Sequence, residues 1–193
     1  MKKLFLTTIV SLGFFSSTAF SQTTYSVTSL SNSGTGTLRD CITQANANSG
    51  HDIINFNVSG TITITSALPA LTDNAGVTID GFAGTAAGTP NSTGLMSGSA
   101  LNPTYTVKLK STTVNQCFTI TSDNNIIKGL CIESFGSGSS TWDDIAVYIN
   151  GGDYNKVLGC YLGMKSDGIN KGGTVQFTGV RIDGNYNEVG DAL

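Results

Sequence analysis

The apolar positions of this chain follow two periods, and the change between them predicts the order of its elements. From Tyr25 to Leu30 apolar and polar residues alternate, as they do in a half-buried strand. From Thr37 to Asn46 the apolar residues recur every three or four positions, which predicts a short amphipathic helix that begins at Thr35 or Thr37. The apolar positions of this helix are Leu38, Cys41, Ile42 and Ala45. From His51 the period of two returns, so short strands are expected beyond it.

Short strands are predicted at residues 53–56, 62–64, 77–79, 105–109 and 118–120, with turns rich in Gly, Pro and Asn between them. Residues 82–103 are rich in Gly, Ala, Ser and Thr and have no strong periodicity. We interpret this segment as a long loop that leaves the regular body. A domain boundary in the same place is the alternative.

The last third of the chain contains one pattern three times: a short strand, a Gly/Asn/Asp turn and a second short strand. The Asn before the second strand is Asn125, then Asn155 and then Asn187, so the copies recur at almost equal intervals. A repeat of this length, built from strands without helices, predicts a parallel β-solenoid in which the copies stack. We expect the three Asn side chains to hydrogen-bond along the stack as a ladder. The helix before the first coil would then cover the open end of the apolar core.

The N-terminal segment 1–21 is predicted to be a secretory signal peptide. Lys2 and Lys3 precede an apolar run, and small residues follow it, so cleavage is expected after Ser21. The run is shorter than the ~20 apolar residues that a membrane-spanning helix needs. The mature chain is therefore expected to be exported, either secreted or held at the cell surface, without a membrane span.

The charge of the chain argues against two classes of partner. The whole sequence has 10 basic and 13 acidic residues, and removal of Lys2 and Lys3 makes the balance more acidic still. Nucleic acid and anionic membranes attract basic surfaces, so neither is an expected partner. Charged residues make up only 12% of the chain, which suits an all-β protein with many tight turns better than a helical enzyme.

Four cysteines allow up to two disulfides in an exported protein, with three connectivities if all of them pair. They are Cys41, Cys117, Cys131 and Cys160. When the repeats are aligned, Cys160 takes the place of Leu130 and is expected to face the core, whereas Cys131 is one position off and should face outward. A Cys131–Cys160 bridge is not expected, and the absence of a C-x-x-C element disfavours zinc.

The candidate catalytic groups are few. Asp143 and Asp144 follow Trp142, an aromatic ring that could stack on a sugar, and a glycosidase needs two carboxylates that face one cleft. However, the three residues fall in a segment rich in Gly and Ser, where carboxylates usually only solvate a loop. A polysaccharide lyase needs a basic residue, but Arg39 belongs to the helix and Arg181 is expected to form a surface ion pair with Asp183.

The remaining acids and the histidine are assigned structural places. Asp80, Asp123, Asp153 and Asp183 lie beside Gly or Asn at strand ends, which is typical of turn residues. His51 is expected to be a solvent-facing loop residue. No calcium loop, phosphate loop or dinucleotide fingerprint occurs. We therefore assign no catalytic, cofactor-binding or metal-binding residue and expect no cofactor.

Two stretches resemble a known family. Residues 37–42, Thr-Leu-Arg-Asp-Cys-Ile, are similar to the S-L-R-E-A-I motif of bacterial secreted proteins that have a CSLREA-like N-terminal region and right-handed parallel β-helix repeats (the pectin-lyase-like fold). Residues 155–163 are similar to the N-x-I-x-G-N-Y-I-G repeat of the same family. The longer form of the first motif, C-S-L-R-E-A-I, begins with a Cys, and Gly36 stands in its place here. In the second motif Cys160 replaces an Asn. These motifs are structural, so the resemblance implies a fold and no activity.

These observations predict an all-β protein, a right-handed single-stranded parallel β-helix with a short N-terminal capping α-helix. We expect a signal peptide (1–21), an N-terminal strand and capping helix (22–52), and β-helix coils (53–193) that end within a repeat, as in a fragment. The expected function is a non-catalytic, monomeric scaffold for adhesion or carbohydrate contact, with extracellular glycans or surface proteins as partners. The alternative is a polysaccharide lyase or glycoside hydrolase whose catalytic coil is missing or unrecognised.

Overall fold

The computed structural model describes residues 21–90, 103–136, 143–170, 172 and 178–190. The predicted signal peptide lies outside these residues except for Ser21. Trp142 and the middle of the predicted loop, residues 91–102, lie outside them as well. Across the described residues the chain is mostly β-structure with one short helix, and its strands pair in parallel.

Within the described residues the strands form three parallel sheets. The first sheet contains, in spatial order, β1 (Thr24–Val27), β2 (Asp52–Phe56), β4 (Val77–Asp80), β7 (Ile126–Lys128), β10 (Lys156–Leu158) and β13 (Glu188–Gly190). The second contains β3 (Gly60–Thr63), β5 (Val107–Lys110), β8 (Cys131–Ser134) and β11 (Tyr161–Leu162). The third contains β6 (Gln116–Ile120), β9 (Ile145–Ile149) and β12 (Thr178–Ile182). The helix α1 (Leu38–Ala47) lies between β1 and β2 in the chain.

The repeat in the sequence becomes the register of the sheets. Ile127, Val157 and Val189 lie opposite one another in the first sheet. Ile149 lies between Ile120 and Ile182 in the third sheet. From β4 onwards the chain passes through the first, second and third sheets in turn. Each copy of the repeat therefore adds two strands beside those of the previous copy, one in the third sheet and one in the first, as the nearly equal spacing of the copies predicts.

The core is a column of apolar side chains between these sheets, and α1 packs at its N-terminal end. The four apolar residues predicted to face the core from α1 are all buried, which confirms the helix and its orientation: Leu38, Cys41, Ile42 and Ala45. Thr37 is the N-cap, and its hydroxyl oxygen accepts a hydrogen bond from the Asp40 amide. The Asp40 carboxylate in turn accepts a hydrogen bond from the Gly36 amide at 2.8 Å.

Arg39 fixes α1 to a neighbouring loop. Its guanidinium donates hydrogen bonds to the backbone carbonyls of Asn32, Ser66 and Ala67. These charge-assisted hydrogen bonds hold α1 against the segment that contains Asn32 and against the segment that contains Ser66 and Ala67. The sequence prediction that Arg39 belongs to the helix rather than to a catalytic site agrees with these contacts.

The predicted long loop begins and ends at one point of the body. Thr89 and Thr104 form an isolated antiparallel bridge in which each amide donates to the other's carbonyl, at 3.0 and 2.9 Å. Every sheet pairing in the described chain is parallel, so this antiparallel bridge stands apart from the sheets. The bridge brings Thr89 and Thr104, on the two sides of residues 91–102, together.

Candidate functional site

The turn that leads from the third sheet to the next strand of the first sheet carries most of the repeated polar residues. We call this turn the ladder turn; its three copies are residues 121–125, 150–155 and 183–187. Asn125 and Asn155 are fully buried there. The Asn155 Oδ1 atom accepts hydrogen bonds from the Asn125 backbone N at 2.7 Å and side-chain Nδ2 at 2.9 Å. The Asn187 Oδ1 atom accepts one from the Asn155 backbone N at 2.7 Å. The predicted Asn ladder is confirmed.

The ladder extends further towards the N-terminus than the sequence indicates. The Val77 backbone N donates to the Asn125 Oδ1 atom at 2.9 Å. In the first sheet Asp52 lies opposite Val77, and its Oδ1 atom accepts a hydrogen bond from the Thr23 amide at 2.8 Å. Asp52 is a fully buried carboxylate that sequence reasoning missed. The only sequence signal for the burial of Asp52 is its position at the start of a first-sheet strand. Asn125 and Asn155 lie at nearly the same position, directly before their strands.

A second row of the ladder turn consists of Asp123, Asp153 and Asn185. The Asp123 Oδ1 atom accepts a hydrogen bond from the Asp153 amide at 2.9 Å, and the Asp153 Oδ1 atom accepts one from the Asn185 amide at 2.7 Å. These carboxylates satisfy backbone donors of the next copy of the turn. The prediction that Asp123 and Asp153 are turn residues is confirmed, because their observed contacts are those of structural turns.

The third row carries an unexpected residue type. Asn124, Tyr154 and Tyr186 occupy the same place in successive turns, with φ of 60°, 57° and 55°. Asn adopts this left-handed conformation readily, whereas a bulky residue with positive φ is an outlier. The rings of Tyr154 and Tyr186 stack at a centroid distance of 5.0 Å and an angle of 9°. Yet the two residues remain 55% and 76% exposed to solvent.

The stacking of the two rings does not by itself offset their backbone cost. The left-handed conformation costs a non-glycine residue roughly 1–2 kcal/mol, so the pair carries about 2–4 kcal/mol of backbone cost. One stacked aromatic pair contributes about 0.5–1.5 kcal/mol of stability in addition to the hydrophobic contribution of the area that it buries. Strained residues that persist on a surface point to a functional role. Sequence reasoning gave these tyrosines no role, although the recurrence of Tyr before the ladder Asn was the available signal.

The charged side chains on both sides of the ladder turn are paired. On the third sheet the Arg181 Nη2 atom lies 3.1 Å from the Asp183 Oδ2 atom, which confirms the predicted ion pair. The Arg181 guanidinium also lies 4.8 Å from the centre of the Tyr148 ring. The Tyr148 hydroxyl donates to the Asp183 carboxylate at 2.8 Å, and this hydrogen bond raises the pKa of Tyr148. On the first sheet, Lys156 and Glu188 form an ion pair at 2.8 Å.

Asp80 also lies at the end of a first-sheet strand and has structural contacts. Its carboxylate forms an ion pair with Lys128 at 2.9 Å and accepts a hydrogen bond from the Phe82 amide at 2.9 Å. The hydrogen bond to the amide two residues along is the one that an Asx turn makes. The prediction that Asp80 is a turn residue is therefore confirmed.

The two carboxylates proposed for a sugar site lie in different environments. Asp143 is exposed, whereas Asp144 is buried and its carboxylate lies close to the backbone of Gly136. The prediction that both acids only solvate a loop is therefore wrong for Asp144, because the start of β9 carries it into the body. One exposed and one buried neighbour do not form the facing pair of a glycosidase.

The prediction that His51 is solvent-facing is wrong. It is half-buried, with Nδ1 at 2.9 Å from the Ala75 carbonyl oxygen and Nε2 at 2.8 Å from the Thr78 hydroxyl. The carbonyl can only accept, so Nδ1 donates to it, and Nε2 lies within hydrogen-bond distance of the hydroxyl. His51 thus joins two neighbouring strands of the first sheet. Both ring nitrogens therefore have partners within the first sheet and the turn before β4.

All four cysteines are free thiols, and burial suppresses their ionisation. Burial, with a smaller contribution from nearby Asp40, raises the pKa of Cys41 to about 11. Burial likewise raises the pKa of Cys131 and Cys160 to about 12 and that of Cys117 well above its usual value. Because the thiolate is the reactive form of cysteine, these residues are inert structural thiols at neutral pH.

Cys131 illustrates how burial arises outside the core column. Its neighbours Leu130 and Ile132 join the apolar core and Cys131 does not, in agreement with its expected outward place. It is nonetheless fully buried, and its thiol donates to the Met164 carbonyl at 3.3 Å. The segment that follows β11 therefore covers it. Cys160 packs against the core, as expected.

In the part of the chain that the structure describes, no group of three or more His, Cys, Asp or Glu side chains could hold a metal ion. None of the helices in that part is long and apolar enough to cross a membrane. Comparison of the chain with protein-family models, with curated proteins and with solved structures finds no match. The candidate functional site is therefore defined by its own geometry: the exposed tyrosine pair of the ladder turn, Tyr154 and Tyr186.

Proposed function

We propose that this protein is an exported, non-catalytic β-helix scaffold that contacts extracellular glycans or surface proteins. The observation that carries the proposal is the use of the repeated polar residues. Carboxylates and amides of the ladder turn accept hydrogen bonds from backbone amides of the neighbouring repeat. Side chains with these roles stabilise a stack of repeats, and they are not available as acids, bases or nucleophiles.

The finer architecture belongs to the same proposal. Three parallel sheets whose strands follow one another in chain order support a closed, right-handed, single-stranded parallel β-helix. Helix α1 at the end of the apolar column supports its role as a cap. The similarity of residues 37–42 and 155–163 to secreted bacterial β-helix proteins supports export by the signal peptide of residues 1–21.

One experiment separates a scaffold from a carbohydrate-active enzyme. The chain from Gln22 onwards would be incubated with neutral and acidic polysaccharides, with and without calcium, and soluble oligosaccharides would be measured by chromatography and by reducing ends. We expect no release above that of a heat-denatured sample. Release that the native protein produces and the heat-denatured sample does not would establish a polysaccharide-cleaving enzyme and overturn the scaffold.

Export is tested separately. The full chain and a variant without residues 2–21 would be expressed in a bacterial host, and the cytoplasmic, membrane and extracytoplasmic fractions would be compared. We expect the full chain to leave the cytoplasm and to lose the segment that ends at Ser21, which the mass of the exported protein would show. A full chain that stays unprocessed in the cytoplasm would contradict the proposed location.

A further inference from the structure

We infer that the stacked pair Tyr154 and Tyr186 is a binding platform for a neutral glycan. The inference rests on the proposed function, since it names the ligand class and the surface through which the scaffold would act. The two rings lie 5.0 Å apart and almost parallel. Each ring covers part of one face of the other, and the exposures of 55% and 76% leave much of both side chains open to solvent.

The backbone indicates that these side chains are there for a purpose beyond stacking. Asn124 occupies the same place one turn earlier, at almost the same φ, and it meets the conformational demand without strain. An Asn at 154 and 186 would meet the same backbone demand at lower cost. The chain instead carries two large aromatic rings in an unfavourable backbone conformation on its surface, which is how functional sites hold strain.

The chemistry around the rings fits a carbohydrate. A pyranose ring presents C–H groups on its faces and hydroxyls at its edge, so it needs a flat apolar surface beside hydrogen-bonding groups. The tyrosine rings supply the surface, and an amphipathic ring buries apolar area while its hydroxyl stays wet. Asp153 and Asn185 directly precede the two tyrosines, and their side chains are joined by a hydrogen bond of 3.3 Å. Because they adjoin the tyrosines in the chain, we expect their remaining polar atoms to be the acceptors and donors that a bound sugar hydroxyl meets.

The charges favour a neutral glycan over an acidic one. The nearest cations along the chain are Arg181 and Lys156, and each of them already forms an ion pair, with Asp183 and with Glu188. An acidic glycan would have to displace those carboxylates. The protein as a whole also carries a net charge of −3, which repels polyanions. A neutral sugar meets neither obstacle.

The test compares binding with stability in matched variants of the full mature chain. Binding of cellohexaose, mannohexaose and hexagalacturonate would be measured by isothermal titration calorimetry. The double variant Tyr154→Asn/Tyr186→Asn copies the Asn124 solution of the same turn. The control is Ile169→Asn, which removes another large exposed side chain, 84% exposed, from a different loop.

We expect the wild-type protein and Ile169→Asn to bind a neutral hexasaccharide with equal affinity and the double variant to bind it at least tenfold more weakly. The double variant should unfold at the same urea concentration as the wild type or a higher one, so the loss of binding is not a loss of folding. Undiminished binding by the double variant would overturn the platform while leaving glycan contact by the scaffold intact.

Two further outcomes decide against the inference. Binding of hexagalacturonate alone would overturn the neutral ligand class. Absence of binding to all three hexasaccharides at millimolar concentration would overturn the platform itself. Neither result shows catalysis, so the scaffold proposal stands or fails separately on the release of oligosaccharides from polysaccharides.

Discussion

The Asn ladder makes a quantitative prediction for Asn155→Ala. Asn155 is fully buried, and its Oδ1 atom is the acceptor for two groups of Asn125, the backbone N at 2.7 Å and the side-chain Nδ2 at 2.9 Å. Truncation to Ala removes this acceptor and leaves the backbone N–H of Asn125 buried. The Asn125 amide keeps other acceptors, the carbonyl and hydroxyl oxygens of Ser122 at 3.1 and 3.0 Å.

The magnitude follows from these contacts. A buried N–H without an acceptor costs about 1–3 kcal/mol, and the weakened amide adds roughly 0.5–1 kcal/mol. We therefore expect Asn155→Ala to lower the free energy of unfolding by about 1.5–4 kcal/mol. The matched control is Asn187→Ala, since Asn187 is only half-buried and accepts a single backbone hydrogen bond, from Asn155. Water can replace that acceptor, so the control should cost about 1 kcal/mol.

The measurement is urea unfolding of the mature chain followed by far-ultraviolet circular dichroism, with the free energy taken from the midpoint and the slope. An unchanged slope would show that the variant alters stability and not the extent of unfolding. If Asn155→Ala costs less than about 1 kcal/mol, or no more than Asn187→Ala, the ladder is not a main source of stability and the reasoning fails.

Three further predictions concern the core, an ion pair and the thiols. Ile149→Ala should lower the free energy of unfolding, measured in urea, by about 2–5 kcal/mol because Ile149 is fully buried. The control Ile182→Ala changes the residue opposite Ile149 in the third sheet, which is 40% exposed, and should lower it clearly less. Equal losses of stability would contradict a closed apolar column at Ile149. Lys128→Met should lower the free energy of unfolding by about 1–3 kcal/mol because it leaves the buried carboxylate of Asp80 without its cation. The control Lys156→Met breaks an exposed ion pair and should lower it by at most about 1 kcal/mol. A larger loss for Lys156→Met would refute the view that the Asp80–Lys128 pair matters more. Burial raises the pKa of all four thiols above the ordinary value of 9.0, so the unfolded chain loses these protons at lower pH than the folded chain, and the free energy of unfolding should fall as pH rises above about 9. A disulfide reagent at pH 8 should label the four thiols only after the protein unfolds. Rapid labelling of the native protein would contradict their burial.

The helix and the repeat could be predicted because their signals are local. The three- and four-residue spacing of Leu38, Cys41 and Ile42 defines one apolar face, and the structure buries that face. The recurrence of Asn125, Asn155 and Asn187 defines the stacking register, since strands in parallel sheets place equal positions side by side. Both signals can be read along the sequence without knowledge of which distant segments are in contact.

Other features could not be predicted because they depend on contacts between distant segments. Cys131 is covered by the backbone at Met164, 33 residues later, and no pattern near Cys131 signals that cover. His51 acquires its partners from the next strand of the first sheet and the turn before it, 27 and 24 residues away. Burial of a side chain on an outward position is decided by which loop folds over it.

At the candidate site, too, some features could be predicted from the sequence and others depend on contacts between distant segments. The sequence by itself determined that a turn with Asn and Asp recurs, because a repeated turn needs the same residues that tolerate its backbone and satisfy its donors. Only the tertiary structure decided that Tyr154 and Tyr186 share a left-handed conformation and stack on the surface. Local periodicity fixes which residues occupy equal places, whereas stacking of the repeats fixes which of those places remain exposed.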